Sequence, residues 1–118
     1  MVGVSQDASK YGSQVHGRLK RRGERVYPVN PREGEIRGET CYPDLASLPE
    51  GVSQIVLVIP PKSTEQVVVE AVACGISRVW MQPGSESKAA VEYCRAHGVN
   101  VVSGHCILHY MDELDYRI

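Results

Sequence analysis

No apolar run in the 118-residue sequence approaches the ~20 residues that a bilayer-spanning helix needs. No signal peptide is expected either, since Met1 is followed by only three residues before polar positions begin. No two cysteines are spaced C-x-x-C, so neither a zinc ribbon nor a dithiol redox motif is suggested. Cys41, Cys74, Cys94 and Cys106 sit in a chain long enough to build its own core, and they read as reduced thiols of a cytoplasmic protein. Repeats and low-complexity tracts are absent. What is present is ordinary: 42% hydrophobic and 23% charged residues place the chain among globular proteins. The expectation is one domain over residues 1–118, with roughly two-thirds of the unfolded surface buried.

The net charge of −1 hides an uneven distribution. Residues 10–37 hold Lys10, Arg18, Lys20, Arg21, Arg22, Arg25, Arg32 and Arg37 against only Glu24, Glu33 and Glu35. Such a local positive excess favours an anionic partner near the N-terminal third. Lys20-Arg21-Arg22 reads as a solvated helix face. Arg32 and Arg37 fall outside that helix.

Short apolar runs alternate with segments of helical period. Val2–Val4, Arg25–Val29, Gln54–Ile59, Ser77–Met81 and Val99–Val102 read as strands. Gln54–Ile59 is continuously apolar after its first residue, as in a strand of a parallel sheet buried on both faces. Ser13–Arg22 reads as a helix with Val15 and Leu19 one turn apart on its inner face, weakened by Gly17 and closed by Gly23. Ser63-Thr64-Glu65-Gln66 has the form of a capping box opening a helix to Cys74. Ser85 is expected to cap a third helix, Glu86–His97. A short turn is expected at Asp44–Leu48, an outer extended piece near Ile36–Gly38, and a packed tail from Tyr110 to Ile118. The alternation predicts an α/β domain: three layers, a doubly wound parallel sheet of about five strands in the order 2-1-3-4-5, with helices on both faces.

Ligands of such sheets bind outside the carboxyl ends of the strands, where the order reverses. The loops there are 5–12, 30–31, 59–62, 82–85 and 103–106, rich in Gly, Pro, Ser and Asn. Gly3 in VGVS lets main chain come close to a bound group, and the helix that follows aims its positive end at the same spot, a natural phosphate site. No G-x-G-x-x-G is present, since the next glycine after Gly3 is Gly12. No acid ends the second strand to hold a ribose; the chain reads Val29-Asn30-Pro31-Arg32, and an Asn beside arginines suits a ligand with an extra phosphate.

The succession VGVSQDASKYGSQV, GERVYPVNP, IRGETCYPDLASLPEGV, IVLVIPP and EAVACGISRVWMQPG resembles the small coenzyme A-binding domain proteins, and through them the N-terminal domain of the succinyl-CoA synthetase α subunit. The likeness runs from Val2 to Cys106, with Pro28–Pro31, Gly38–Tyr42 and Val79–Gln82 its most specific pieces. It implies a Rossmann-like domain whose cofactor is coenzyme A or an acyl-CoA. By the same resemblance, Gly3, Val4 and Ser5 would line the diphosphate, and Lys10, Tyr11 and Gly12 would complete that cradle. Asn30, Pro31 and Arg32 would border the adenosine 3′-phosphate end. Ile59, Pro60 and Pro61 would form an apolar wall, with Gln82, Pro83 and Gly84 the floor under the pantetheine arm. Proline rings suit an uncharged, extended arm because they are rigid and apolar and have no donor. Three departures stand out: the chain starts inside the first strand, His105–Tyr110 replaces an Arg-Cys-Met segment, and Lys62-Ser63 follows the prolines of the third strand.

The expected function is therefore non-catalytic binding of coenzyme A or an acyl-CoA by a cytoplasmic protein. The ligand is the small molecule itself, no nucleic acid or membrane partner is expected, and the remaining partner classes are a second copy or a partner enzyme. Two alternatives stay open. One is a small thioester-processing enzyme using Cys106 and His105. The other is a nucleotide-sensing domain for NAD or NADP, which the missing glycine fingerprint and ribose acid count against. His105-x-x-x-His109 is half of a metal pattern without a third ligand in sequence, so no metal is expected.

Overall fold

The computed structural model describes residues 1–4, 7, 10–36 and 38–108. In chain order it contains α1 (Tyr11–Arg21), β1 (Glu35–Ile36), β2 (Glu39–Thr40), β3 (Gln54–Leu57), α2 (Pro61–Ala73), β4 (Arg78–Met81), α3 (Lys88–Ala96) and β5 (Asn100–Val102). The tail expected from Tyr110 to Ile118, together with Ser5, Arg37 and His109, lies outside the described residues.

β3, β4 and β5 form a parallel sheet in that order, with Ile55 opposite Val79 and Val79 opposite Val101. The α/β class is therefore as expected, but the regular sheet has three strands where five were expected. Val2 and Val29 contribute only isolated parallel bridges, Val2 to both Leu57 and Val29. Both reductions have local causes. Gly3 turns with φ +103°, outside extended geometry, and this ends the first strand at once. Pro28 has no N–H to give to a ladder. The hydrogen bonds that remain are well formed: the Val2 N–H donates to the Val56 carbonyl at 2.8 Å, and the Val58 N–H donates to that of Val2 at 2.9 Å.

The outer piece near Ile36–Gly38 takes a different place from the one expected. Glu35–Ile36 pairs antiparallel with Glu39–Thr40 as a tight hairpin, and Gly38 supplies the positive φ for its turn. Tyr42, not this hairpin, is bridged to Val29.

Two apolar cores lie on opposite sides of β3. Ile55 and Leu57 pack with Val68 and Ala71 of α2 and with Ala90 and Cys94 of α3. Val56 and Val58 point the other way, against a core that contains Val15 and Leu19 of α1 and Leu108. Val15 and Leu19 are one turn apart and fully buried, as their spacing predicts, and each contributes about 1.5–3 kcal/mol by leaving water.

Helix starts differ from those expected. α2 begins at Pro61, with Pro60 as N-cap and no side-chain cap bond, so the capping box at Ser63 does not form. Proline fits the first helical position because its fixed φ is helical and its missing N–H would have no partner there. α3 is capped by Ser87, whose Oγ accepts the Ala90 N–H at 3.3 Å while donating to Glu65 of α2. Ser85 is instead buried and serves β3, as described below. At the other helix ends Gly23, Gly75 and Gly98 adopt positive φ, the closing role read from sequence.

His16 of α1 is buried in the second core's surroundings. Its Nε2 donates to the Val26 carbonyl at 3.3 Å, and Nδ1 has no hydrogen-bond partner. Burial lowers its pKa below the ordinary 6.5, against the opposing pull of the Val26 carbonyl and Glu39. The Met1 ammonium, which donates to the Tyr27 carbonyl at 2.6 Å, is lowered by burial to about 5. For both groups the unfolded chain binds the proton more readily. Stability is therefore fully present above the unfolded pKa, ~6.5 for the imidazole and ~8 for the amine, and is lost as pH falls toward the folded values. Thermal melts should show the midpoint falling between pH 8 and pH 5. His16→Gln should flatten the part of that slope below about pH 6.5 and leave the part due to Met1.

Candidate functional site

Because β3, β4 and β5 run parallel, they release the chain at one rim, and the exits of the bridged Val2 and Val29 segments meet the same rim. The exits are joined by main-chain packing. A Cβ on Gly3 would lie 2.1 Å from the Val58 carbonyl oxygen, and one on Gly12 would lie 2.6 Å from the Gly3 carbonyl oxygen. Real Cβ contacts of that length do not occur, so only glycine lets the first strand lie on the exit of β3 and the first turn of α1 lie on both. Lys10 is the N-cap of α1, exposed, with its N–H donating to the Asp7 carbonyl at 3.1 Å. Its side chain makes no cap bond.

Asn30 spans two loops. Its Nδ2 donates to the Val4 carbonyl at 2.8 Å, and its Oδ1 accepts the Arg32 N–H at 2.9 Å. Its own N–H donates to the Tyr42 carbonyl at 2.9 Å, and its carbonyl accepts from Cys41 Sγ. Pro31 and Arg32 beyond it are exposed.

Gln82 leaves β4 completely buried. Its Oε1 accepts the Ile107 N–H at 2.8 Å, while Nε2 donates to Tyr11 Oη at 3.0 Å and to Cys106 Sγ at 3.3 Å. Tyr11 Oη and Cys106 Sγ are 3.1 Å apart. Desolvation and then the Cys106 bond push the Tyr11 pKa up to about 12, so the phenol stays protonated at any ordinary pH. Trp80 Nε1 donates to the His105 carbonyl at 2.8 Å and holds the same segment from β4. The start of α1, the exit of β4 and residues 105–107 thus meet at one point. Cys41 and Cys94 are buried elsewhere, with their thiol pKa values raised by burial.

Ser85 completes the wall on which Ile59 stands: its buried Oγ accepts the Ile59 N–H at 3.0 Å. Pro60 and Pro61 are exposed at the start of α2. Pro83 and Gly84 form an exposed turn, and the Gly84 N–H donates to both oxygens of Glu86 at 3.2 and 3.1 Å. The bonds of Ser85 and Glu86 could not be read from sequence, because a serine before a helix pattern looks like a cap whether or not it makes one. The structure therefore links Gly3, Val4, Tyr11, Gly12, Asn30, Ile59 and Gln82 by contacts at this rim. Lys10, Pro31, Arg32, Pro60, Pro61, Pro83 and Gly84 lie on the loops around it, and Ser5 is outside the described residues.

A cavity of about 670 Å³ opens at the other end of the sheet. Met1, Gln54 and Arg78, where strands begin, line it together with Leu19, Trp80 and Ile107. Of the residues that bond Gln82 at the rim, only Ile107 also lines this cavity. Among the described residues, no three His, Cys, Asp or Glu side chains gather as a metal site, and no helix is long and apolar enough to cross a membrane.

Comparison with known proteins finds one family and several solved structures of the same fold. The pattern of the CoA binding domain family matches residues 1–112. The acetate–CoA ligase (ADP-forming) II subunit alpha of Pyrococcus furiosus is 28% identical over 118 aligned residues, covering 91% of this chain and 26% of that protein. The chain thus spans about a quarter of that relative's length. Among solved structures, a conserved hypothetical protein from Pyrococcus furiosus superposes with a TM-score of 0.89 at 40% identity, covering 92% of this chain and 94% of that one. A hypothetical protein from Pyrococcus horikoshii gives 0.91 at 29% identity, covering 96% and 80%.

Two glycines of α1 separate packing from propensity. Gly12→Ala forces main chain apart and should lower stability by about 1–3 kcal/mol. A Cβ on Gly17 meets only the end of Arg21 at 3.9 Å, so Gly17→Ala should raise stability by about 0.5–1 kcal/mol. Urea denaturation of both variants checks the opposite signs.

Proposed function

The chain belongs to the CoA binding domain family, and we propose that it binds coenzyme A or an acyl-CoA, without chemistry of its own, in the crevice at the carboxyl ends of its strands. The observation that carries this reading is the seating of α1. Its first turn lies at main-chain contact distance on the exit of the first strand. A helix start points N–H groups outward and carries roughly half a positive charge, which together suit a diphosphate. Neither α1 nor α2 begins with a side-chain cap bond, and both begin at this rim.

Within this reading Gly3, Val4 and Ser5 line the diphosphate, and Lys10, Tyr11 and Gly12 complete the cradle with one exposed cation and main-chain donors. Asn30, Pro31 and Arg32 border the 3′-phosphate end. Ile59, Pro60 and Pro61 give the uncharged pantetheine arm an apolar wall, with Gln82, Pro83 and Gly84 beneath it. The Val2 and Val29 bridges, with cores on both faces of β3, support a five-strand doubly wound plan whose first two strands are cut short. A domain that spans a quarter of a ligase subunit's length fits a division of labour in which a second copy or a partner enzyme supplies the chemistry. The four cysteines form no disulfide with one another, which accords with a reducing, cytoplasmic setting.

The test is a thermal-shift and calorimetry panel of coenzyme A, acetyl-CoA, NAD, NADP and ATP. A ligand at 100 times its Kd stabilises the native state by about 2.7 kcal/mol. Coenzyme A and acetyl-CoA should raise the melting point, and the other three should leave it unchanged. Lys10→Ala should weaken coenzyme A binding about tenfold by removing a charge-assisted contact. A response to NAD or NADP alone would replace this reading with a nucleotide sensor. Cys106→Ala should bind as the parent does. Thioester hydrolysis by the parent that is lost in Cys106→Ala would establish an enzyme instead.

A further inference from the structure

We propose that Asn30 is a positioning residue: it holds Val4, just past the first strand, and Arg32, in the second loop, at one fixed separation, so that the site favours ligands with anionic groups at both ends of that gap. The inference deepens the coenzyme A reading and rests on it for its ligand.

The geometry leaves the side-chain amide one orientation. Only an N–H can face the Val4 carbonyl, and only an oxygen can face the Arg32 N–H. Asn30 therefore links residues 26 positions apart on one side and two positions ahead on the other. Its own backbone is tied in turn to Tyr42 and Cys41. One end of this clamp is Val4, fully buried just past the first strand. The other end is the N–H of Arg32, whose exposed side chain stands at the rim. Asparagine alone meets both demands. An aspartate in its place would turn a carboxylate oxygen toward the Val4 carbonyl, and a glutamine is one methylene too long for the Arg32 contact. Asn30 thus acts on the ligand through Val4 and Arg32.

This predicts coupling, which a direct ligand contact by Asn30 does not. Coenzyme A binding is measured by calorimetry for the parent, Asn30→Ala, Arg32→Ala and the double variant. Amide hydrogen exchange is followed in the same proteins without ligand. Asn30→Ala should bind coenzyme A about tenfold more weakly and should speed exchange at the Arg32 amide before any ligand is added. In the Arg32→Ala background the same change should cost several-fold less, because a loop without its cation gains little from being held. If Asn30→Ala does not fold, Asn30→Ser, whose hydroxyl is too short to reach both partners, takes its place. Binding equal to the parent, losses that multiply independently, or unchanged exchange at Arg32 would each overturn the proposal. A parent that binds no coenzyme A would instead overturn the ligand reading, while the exchange data would still decide the clamp.

Discussion

The first turn of α1 rests on main chain, not on side chains. The space a Cβ would need at Gly12 is taken by the Gly3 carbonyl, and the space it would need at Gly3 is taken by the Val58 carbonyl. Three consecutive layers of backbone are stacked at the rim of the sheet, and the rest of the site depends on that stack. It sets the direction in which α1 points its N–H groups and ends the first strand after Val2. It also brings Tyr11 within reach of Gln82. A side chain at either glycine would tilt the helix and take the positive end of its dipole with it.

A buried glutamine is the second support. Burying an amide without partners costs a few kcal/mol, so the four elements around Gln82 are constrained to satisfy it. Its oxygen takes the Ile107 N–H and its nitrogen serves Tyr11 and Cys106, while its backbone bonds reach Leu57 and Ser85. This network explains why a polar residue ends an apolar strand. It also gives the segment around Cys106 a fixed place, although that segment departs from the pattern of its resembled family.

Much of this was legible in the sequence because it follows from periodicity. Val15 with Leu19, and the apolar run in Gln54–Ile59, identify an amphipathic helix and a strand packed on both faces, and each lies where expected. The glycines after each helix were equally readable, since few other residues adopt their φ. What failed were choices between local partners. Ser63 and Ser85 both looked like caps, but Pro61 starts its helix two residues earlier, and Ser85 spends its hydroxyl on Ile59, a residue 26 positions away. Arg25–Val29 has strand composition, yet Pro28 denies it a ladder, and its outer neighbour is Tyr42 because the intervening residues prefer their own hairpin. Asn30 was recognised as important on its type. That it works by joining Val4 to Arg32 is a tertiary fact with no local signature.

The two ends of the sheet show why volume alone does not identify a ligand site. The amino end has a cavity of about 670 Å³, lined by Leu19, Trp80 and Ile107 and bordered by Arg25 and Arg78. Yet α1 finishes there, so the helix presents carbonyl oxygens and a partial negative charge to any anion entering it. At the carboxyl end the dipoles of α1 and α2 begin instead of ending, and the loops are glycine- and proline-rich, so donors can converge without side chains in the way. A phosphate gains from every one of these features at the carboxyl rim. At the amino end it would depend on two arginines, with Glu24 and Glu50 beside them. The carboxyl rim is electrostatically the more favourable end for an anion, and it owes this to the direction of the chain.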